Sequence, residues 1–164
     1  MLIVLAGLPG TGKTTIAREL ARQLGAVHIR IDSIEQAIHD SGVPEVNEAG
    51  YRVGYAVAED NLRLGRTVIA DSVNPLALTR DAWAAVATRS TTTAIEIEVM
   101  CSDVNEHRRR VETREIDIAG LKRPTWQDVV SRDYEPWNRE PLLIDTGIQS
   151  LEQSIAAIMS GLPK

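Results

Sequence analysis

The sequence predicts a three-layer α/β protein in which helices cover both faces of a five-stranded parallel sheet. Two observations carry this expectation. Short runs of almost wholly apolar residues alternate with longer segments whose apolar residues recur at helical spacing. Those apolar runs also lack the in–out alternation of a sheet with one wet face, as strands buried on both sides do. Regular strand–helix alternation then implies right-handed crossovers and helices on both faces.

Taken along the chain, the predicted strands are Leu2–Ala6, Val27–Ile31, Thr67–Ala70, Ala94–Met100 and Leu142–Ile144. The predicted helices are Lys13–Leu24, Ser33–Asp40, Glu48–Leu64, Ala77–Arg89, Val104–Glu115, Trp126–Tyr134 and Leu151–Met159. In the last of these, Leu151, Ile155 and Ile158 share one face. Ile116–Thr125, "IDIAGLKRPT", fits neither pattern. Its glycine, proline and charges make it a loop, and its arginine-rich approach suggests a lid, a plain connector being the alternative.

The chain has 164 residues, enough for one ordinary domain with a continuous core. No apolar run is long enough to span a bilayer, and "MLIVLAG" lacks the basic flank of a secretory signal. The expectation is a cytoplasmic protein with no membrane partner. Cys101 is the only cysteine, which excludes an internal disulfide, and His28, His39 and His107 lack zinc-motif spacing. A net charge of -5 provides no general attraction to nucleic acid.

The most specific feature is "GLPGTGKTT", which follows the first strand and opens the first helix. It fits G-x-x-x-x-G-K-[ST] at Gly7, Gly12, Lys13 and Thr14, with Pro9, Gly10, Thr11 and Thr15 completing the stretch. Glycines let the backbone wrap an anion with its N–H groups, and the helix that follows adds its positive end. Lys13 is placed to reach the β- and γ-phosphates of a nucleotide, and the Thr14 hydroxyl to ligate Mg²⁺.

Asp71 ends the third strand, where ligands of such sheets collect. It is read as holding Mg²⁺ or orienting an acceptor, a turn or cap role being the alternative. Asp32 ends the second strand and starts "DSIEQAI". It can take a proton from a hydroxyl attacking the γ-phosphate, or cap the helix in a capping box with Glu35. Arg110 and Arg114 are four apart, on one helical face beside the lid. They suit stacking on a base and neutralising a transferring phosphoryl group, against the alternative of an ion-paired surface helix with Glu106–Arg110 as one pair.

Together these residues resemble the small P-loop kinases, among them chloramphenicol phosphotransferase, polynucleotide kinase, adenylylsulfate kinase, gluconate kinase and adenylate kinase. The resemblance runs through "LIVLAGLPGTGKTTIA", "IDSIEQAI", "GRTVIADSVNP", "CSDVNEHRRRVETR" and "LLIDT". A set described as AAA family ATPase or predicted kinase also shares "PTWQDV" and "YEPW". The resemblance implies one P-loop kinase domain over residues 1–164, sheet order 2-3-1-4-5 and a helical lid over about 114–126. It implies ATP and Mg²⁺ as cofactors, Asp32 as the base, Arg110 on adenine and Arg114 on phosphates. Thr146 and Gly147 fall where related kinases line the adenine. One departure stands out: Glu35 replaces an arginine that holds the acceptor's phosphate in polynucleotide kinase.

An acceptor pocket is expected from "YRVGYAVAEDNLRLG", with Tyr51 and Tyr55 facing one cavity, and Asn74 and Trp83 on the same side. Glu35 would suit a hydroxylated or amino-bearing small molecule. Trp126 is expected to anchor a helix start, and "YEPW" to form a turn against the nucleotide side. The resulting expectation is a kinase for a small hydroxylated acceptor, with Lys13, Asp32 and Arg114 catalytic. Two alternatives stay open: a nucleoside, nucleotide or polynucleotide 5′-hydroxyl kinase, and a regulatory ATPase acting through a partner.

Overall fold

The structure, a computed structural model, describes residues 1–163. Five parallel strands lie in the order β2-β3-β1-β4-β5, the order expected. They are β1 (Leu2–Ala6), β2 (Val27–Arg30), β3 (Val68–Asp71), β4 (Ala94–Met100) and β5 (Leu142–Asp145). The helices are α1 (Lys13–Leu24), α2 (Ile31–Asp40), α3 (Ala49–Arg63), α4 (Ala77–Arg89), α5 (Val104–Thr113), α6 (Trp126–Val130) and α7 (Leu151–Gly161). Among the described residues, no helix is long and apolar enough to cross a membrane.

Alternation along the strands builds two cores. On one face Ile3, Leu5, Ile69 and Ile97 pack under α1 and α7. On the other, Leu2, Val4, Val68 and Ala70 pack under α3 and α4, with Trp83 at the centre. All five residues of β1 are buried, which is why it reads as one apolar run. The register pairs Leu5 with Asp71 and Asp71 with Arg30, so β1, β2 and β3 end level at one rim.

Several boundaries shift from expectation, most by a residue or two, and three of the shifts bear on the site. The second helix starts at Ile31 rather than Ser33, with Arg30 as its N-cap and no side-chain cap. Asp32 is therefore inside the first turn, and the capping-box reading of Asp32 with Glu35 is wrong. Burial of Ile31 pulls the helix start inward. The fifth helix stops at Thr113, because Arg114 turns extended (φ -58°, ψ 139°). The sixth stops at Val130, beyond which the chain turns towards α4.

Candidate active site

Chain geometry at the rim starts with the glycine loop. Gly7 has φ 135°, and a Cβ there would lie 2.1 Å from the Val99 carbonyl oxygen. Only glycine lets the loop leave β1 so close to β4. Gly12 caps α1 in a left-handed conformation and provides no side-chain acceptor. The first-turn N–H groups of α1 thus keep their anion-binding capacity.

Around this loop the structure forms a cavity of about 330 Å³. Gly10, Gly12, Lys13, Thr14 and Thr15 line one side, and Arg110, Arg114 and Asp117 another. Asp32 and Asp71 are in the same wall, as expected from the strand ends. Lys13 is buried, and its Nζ donates to the Leu8 carbonyl at 2.8 Å. Burial lowers its pKa to about 8, against the pull of Asp71 and Asp32.

The loop is braced from outside. His107 Nε2 lies 2.8 Å from the Pro9 carbonyl, with the His107 ring edge-on to Trp126. Thr146 Oγ1 donates to the Thr11 carbonyl at 2.8 Å and accepts from Arg110 Nη1 at 2.8 Å. Arg110 also donates to Glu106 and to the Thr146 carbonyl. Gly147 is held by Asp145, which accepts its N–H at 2.9 Å. Neither Thr146 nor Gly147 lines the cavity, although Thr146 lies directly behind Gly12.

Arg114 lines the same cavity as Arg110 but differs in its partners. Its Nε is buried without a hydrogen-bond partner, and burial lowers its pKa while Asp32 raises it. It lines a second cavity of about 380 Å³ as well as the first. Asp32, Ser72 and Val73 are shared in the same way, so the two cavities meet there. Ser72 Oγ at this junction is also buried and unpartnered. No sequence feature singled out Ser72; its position after a strand-end aspartate was the available signal.

Glu35 and Tyr51 line the second cavity as expected. A Cβ on Gly50 would lie 2.2 Å from Glu35 Cγ, so this glycine seats Glu35 against α3. Tyr55 and Asn74 do not belong to that wall. The Tyr55 ring packs edge-on to Trp83 in the core, at 4.6 Å between centroids. Asn74 is fully buried, donating to the Leu5 carbonyl and accepting from Trp83 Nε1. Helical spacing put Tyr51 and Tyr55 on one side, but only the end nearer the rim reaches the cavity.

The aromatic turn was also misplaced. Tyr134 and Trp137 lie about the buried Arg80 of α4, whose guanidinium carbon is 4.5 Å from the Trp137 ring centroid. Neither lines the nucleotide-side cavity. Two partners went unread. His28 Nε2 lies 3.2 Å from Asp71 Oδ2, steadying that carboxylate. Asp117 of the expected lid is gripped by Arg18 and Arg30, and their hydrogen bonds hold its carboxyl down to about 2.

The residues present suit a magnesium nucleotide. Free N–H groups, Lys13 and two unpartnered polar atoms converge on one space. Among the described residues no three His, Cys, Asp or Glu side chains form a metal cage. Mg²⁺ commonly binds through one or two protein oxygens together with substrate phosphates, and Thr14 and Asp71 could supply those oxygens.

This sheet order with a phosphate loop after β1 is that of the small P-loop kinases. A family model described as an AAA domain matches residues 2–132, and the chain belongs to that family. A shikimate kinase from Synechococcus elongatus is 36% identical over 73 residues, 42% of this chain. The chain spans only 38% of that relative's length. Kti12 from Chaetomium thermophilum, solved with ADP-AlF3, superposes with a TM-score of 0.70 at 28% identity and full coverage of both chains. The Mycobacterium tuberculosis APS kinase CysC, solved with AMPPNP and APS, gives 0.68 at 14% identity, covering 97% of this chain and 95% of that one.

Proposed function

We propose that the protein is an ATP- and Mg²⁺-dependent kinase that phosphorylates a hydroxyl of a small molecule, with Asp32 as general base. The observation that carries this reading is the meeting of two cavities at Asp32, Ser72 and Arg114. One cavity is built for phosphate, and the other offers room for an acceptor. The named relatives include kinases of small molecules, which supports the same reading.

In this account the loop from Gly7 to Thr15 cradles the nucleotide phosphates. Mg²⁺, held by Thr14 and Asp71, supplies charge neutralisation when bound. Asp32 accepts the hydroxyl proton as the acceptor oxygen bonds to the γ-phosphorus; the bridging P–O bond breaks and ADP leaves. Lys13 and Arg114 stabilise the charge on the transferred group. Arg110 has its N–H edge committed to Glu106 and Thr146, so stacking on the base is what its face has left to offer. Thr146 and Gly147 act behind it by bracing the loop. The whole chain, residues 1–164, serves as one kinase domain. Residues 114–126 form its lid, fastened through Asp117.

The test begins with a metabolite pool and labelled ATP, which identifies the compound that gains phosphate. With that acceptor, Asp32→Asn lowers kcat about a hundred- to ten-thousandfold while nucleotide affinity changes little. Near-normal turnover by the variant would remove Asp32 as the base. Slow hydrolysis with no dependence on any acceptor would favour the regulatory ATPase instead.

A further inference from the structure

The second cavity holds five ionic side chains that the fold leaves unpaired. Asp32 and Glu35 come from α2, while Arg114, Lys122 and Arg132 come from the chain between α5 and the turn after α6. Among the described residues, none of the five forms an ion pair within 4.0 Å or a side-chain hydrogen bond. Several arginines elsewhere behave differently. Arg22, Arg63, Arg89, Arg108, Arg109 and Arg139 each meet a carboxylate, although most of them are well exposed.

The two signs also come from different parts of the chain. Arg114 faces both cavities, and the transferred phosphoryl group occupies it in the proposed reaction. That leaves two carboxylates from α2 and two cations, Lys122 from the loop before α6 and Arg132 from the turn after it. Asp128 is within electrostatic reach of both cations, but its carboxylate already accepts the Thr125 N–H as a cap. Glu35 is half-buried, and burial together with Asp32 pushes its carboxyl upward, with Arg132 opposing. A cation arriving beside Glu35 would relieve both effects. Ile31, Leu76, Leu121 and Pro124 add apolar surface to the same cavity.

With Arg114 assigned to the phosphoryl group, the remaining charges sum to zero and match a net-neutral ligand that carries both an ammonium and a carboxylate. We propose that the acceptor is a hydroxylated zwitterion, with its ammonium group at Glu35, its carboxylate at Lys122 and Arg132, and its reacting hydroxyl at Asp32. The hydroxyl assignment and the setting aside of Arg114 rest on the kinase reading; the placement of the ammonium and carboxylate ends rests on the unpaired Glu35, Lys122 and Arg132. Charge-assisted hydrogen bonds of this kind discriminate strongly because the wrong ligand leaves a charge unmet.

Four open-chain six-carbon polyols separate the two ends: sorbitol, gluconate, glucamine and glucosaminate carry neither charge, the acid, the amine and both. Each is titrated calorimetrically into the full chain with Mg²⁺ and ADP present. Glucosaminate binds about tenfold or more tighter than gluconate or glucamine, and sorbitol binds weakest. Glu35→Gln brings glucosaminate down to gluconate, and the exposed pair Lys122→Gln with Arg132→Gln brings it down to glucamine. Equal binding of all four, or binding of none while ADP still binds, overturns the proposal. Binding in the expected order without phosphoryl transfer from ATP would break the kinase reading and leave the charge assignment standing. Transfer to sorbitol as fast as to glucosaminate would do the reverse.

Discussion

On the donor side, the residues of the phosphate loop hold one another and are held from behind. Pro9 is met by His107, Thr11 by Thr146, and Thr146 in turn by Arg110, whose own charge is balanced by Glu106. Across the junction, Arg114, Ser72, Asp32 and Glu35 have no such ties. The first region is pre-organised for a ligand of fixed shape; in the proposed reaction, the second keeps its polar groups available for the ligand that reacts. Rigid positioning favours binding, whereas a free charge at the junction can strengthen its contacts as the transition state forms.

This contrast is most sharply tested by the two arginines. Arg114→Ala should lower kcat about a hundred- to a thousandfold with little change in nucleotide Kd. Arg110→Ala should do the opposite, raising nucleotide Kd about tenfold through loss of its face and of its hold on Thr146. Equal effects on both constants would erase the distinction between a bracing and a reacting arginine. Measuring Kd by titration and kcat by single turnover keeps the two apart.

Asn74 probes the same boundary from the core. Its loss in Asn74→Ala leaves the Leu5 carbonyl and Trp83 Nε1 without a buried partner. A cost of about 2–4 kcal/mol in denaturant unfolding is expected, with acceptor KM unchanged in the folded fraction. A raised KM without loss of stability would return Asn74 to the acceptor site.

A further expected effect is a pH dependence of nucleotide binding. With its pKa lowered to about 8, Lys13 loses its proton in the free protein at a pH where an ordinary lysine keeps it. Bound phosphate favours the charged form, so binding takes up a proton above that pH. Affinity should therefore fall as pH rises past about 8, by up to tenfold per unit, and Lys13→Gln should flatten the profile. The free protein's stability should move the other way. Unfolded lysine binds more protons than Lys13 does in the fold, so this contribution rises with pH between about 8 and the ordinary lysine value.

Much of this organisation was legible because its causes are local. The strand Leu2–Ala6, the glycine spacing and the helix Lys13–Leu24 are contiguous, so the phosphate loop could be placed without the fold. The misreadings share one property: they depended on where a side chain ended up after packing. Asp32 looked like a cap, but burial of Ile31 moved the helix start past it. Tyr55 and Asn74 looked like pocket residues, but Trp83 drew both into the core. "YEPW" looked close to the nucleotide, but the buried Arg80 holds it at α4.

By itself, the sequence determined the three-layer parallel architecture and the grip on phosphate, since apolar periodicity and glycine spacing act within a few residues. Only the tertiary structure decided which charges are spent and which are free. Asp117 finds Arg18 and Arg30 from 99 and 87 positions away, and His28 finds Asp71 across 43. Among the described residues, Asp32, Glu35, Arg114, Lys122 and Arg132 find no such partner. An ion pair is set by distance in space, and chain separation leaves that distance open until the sheet has assembled.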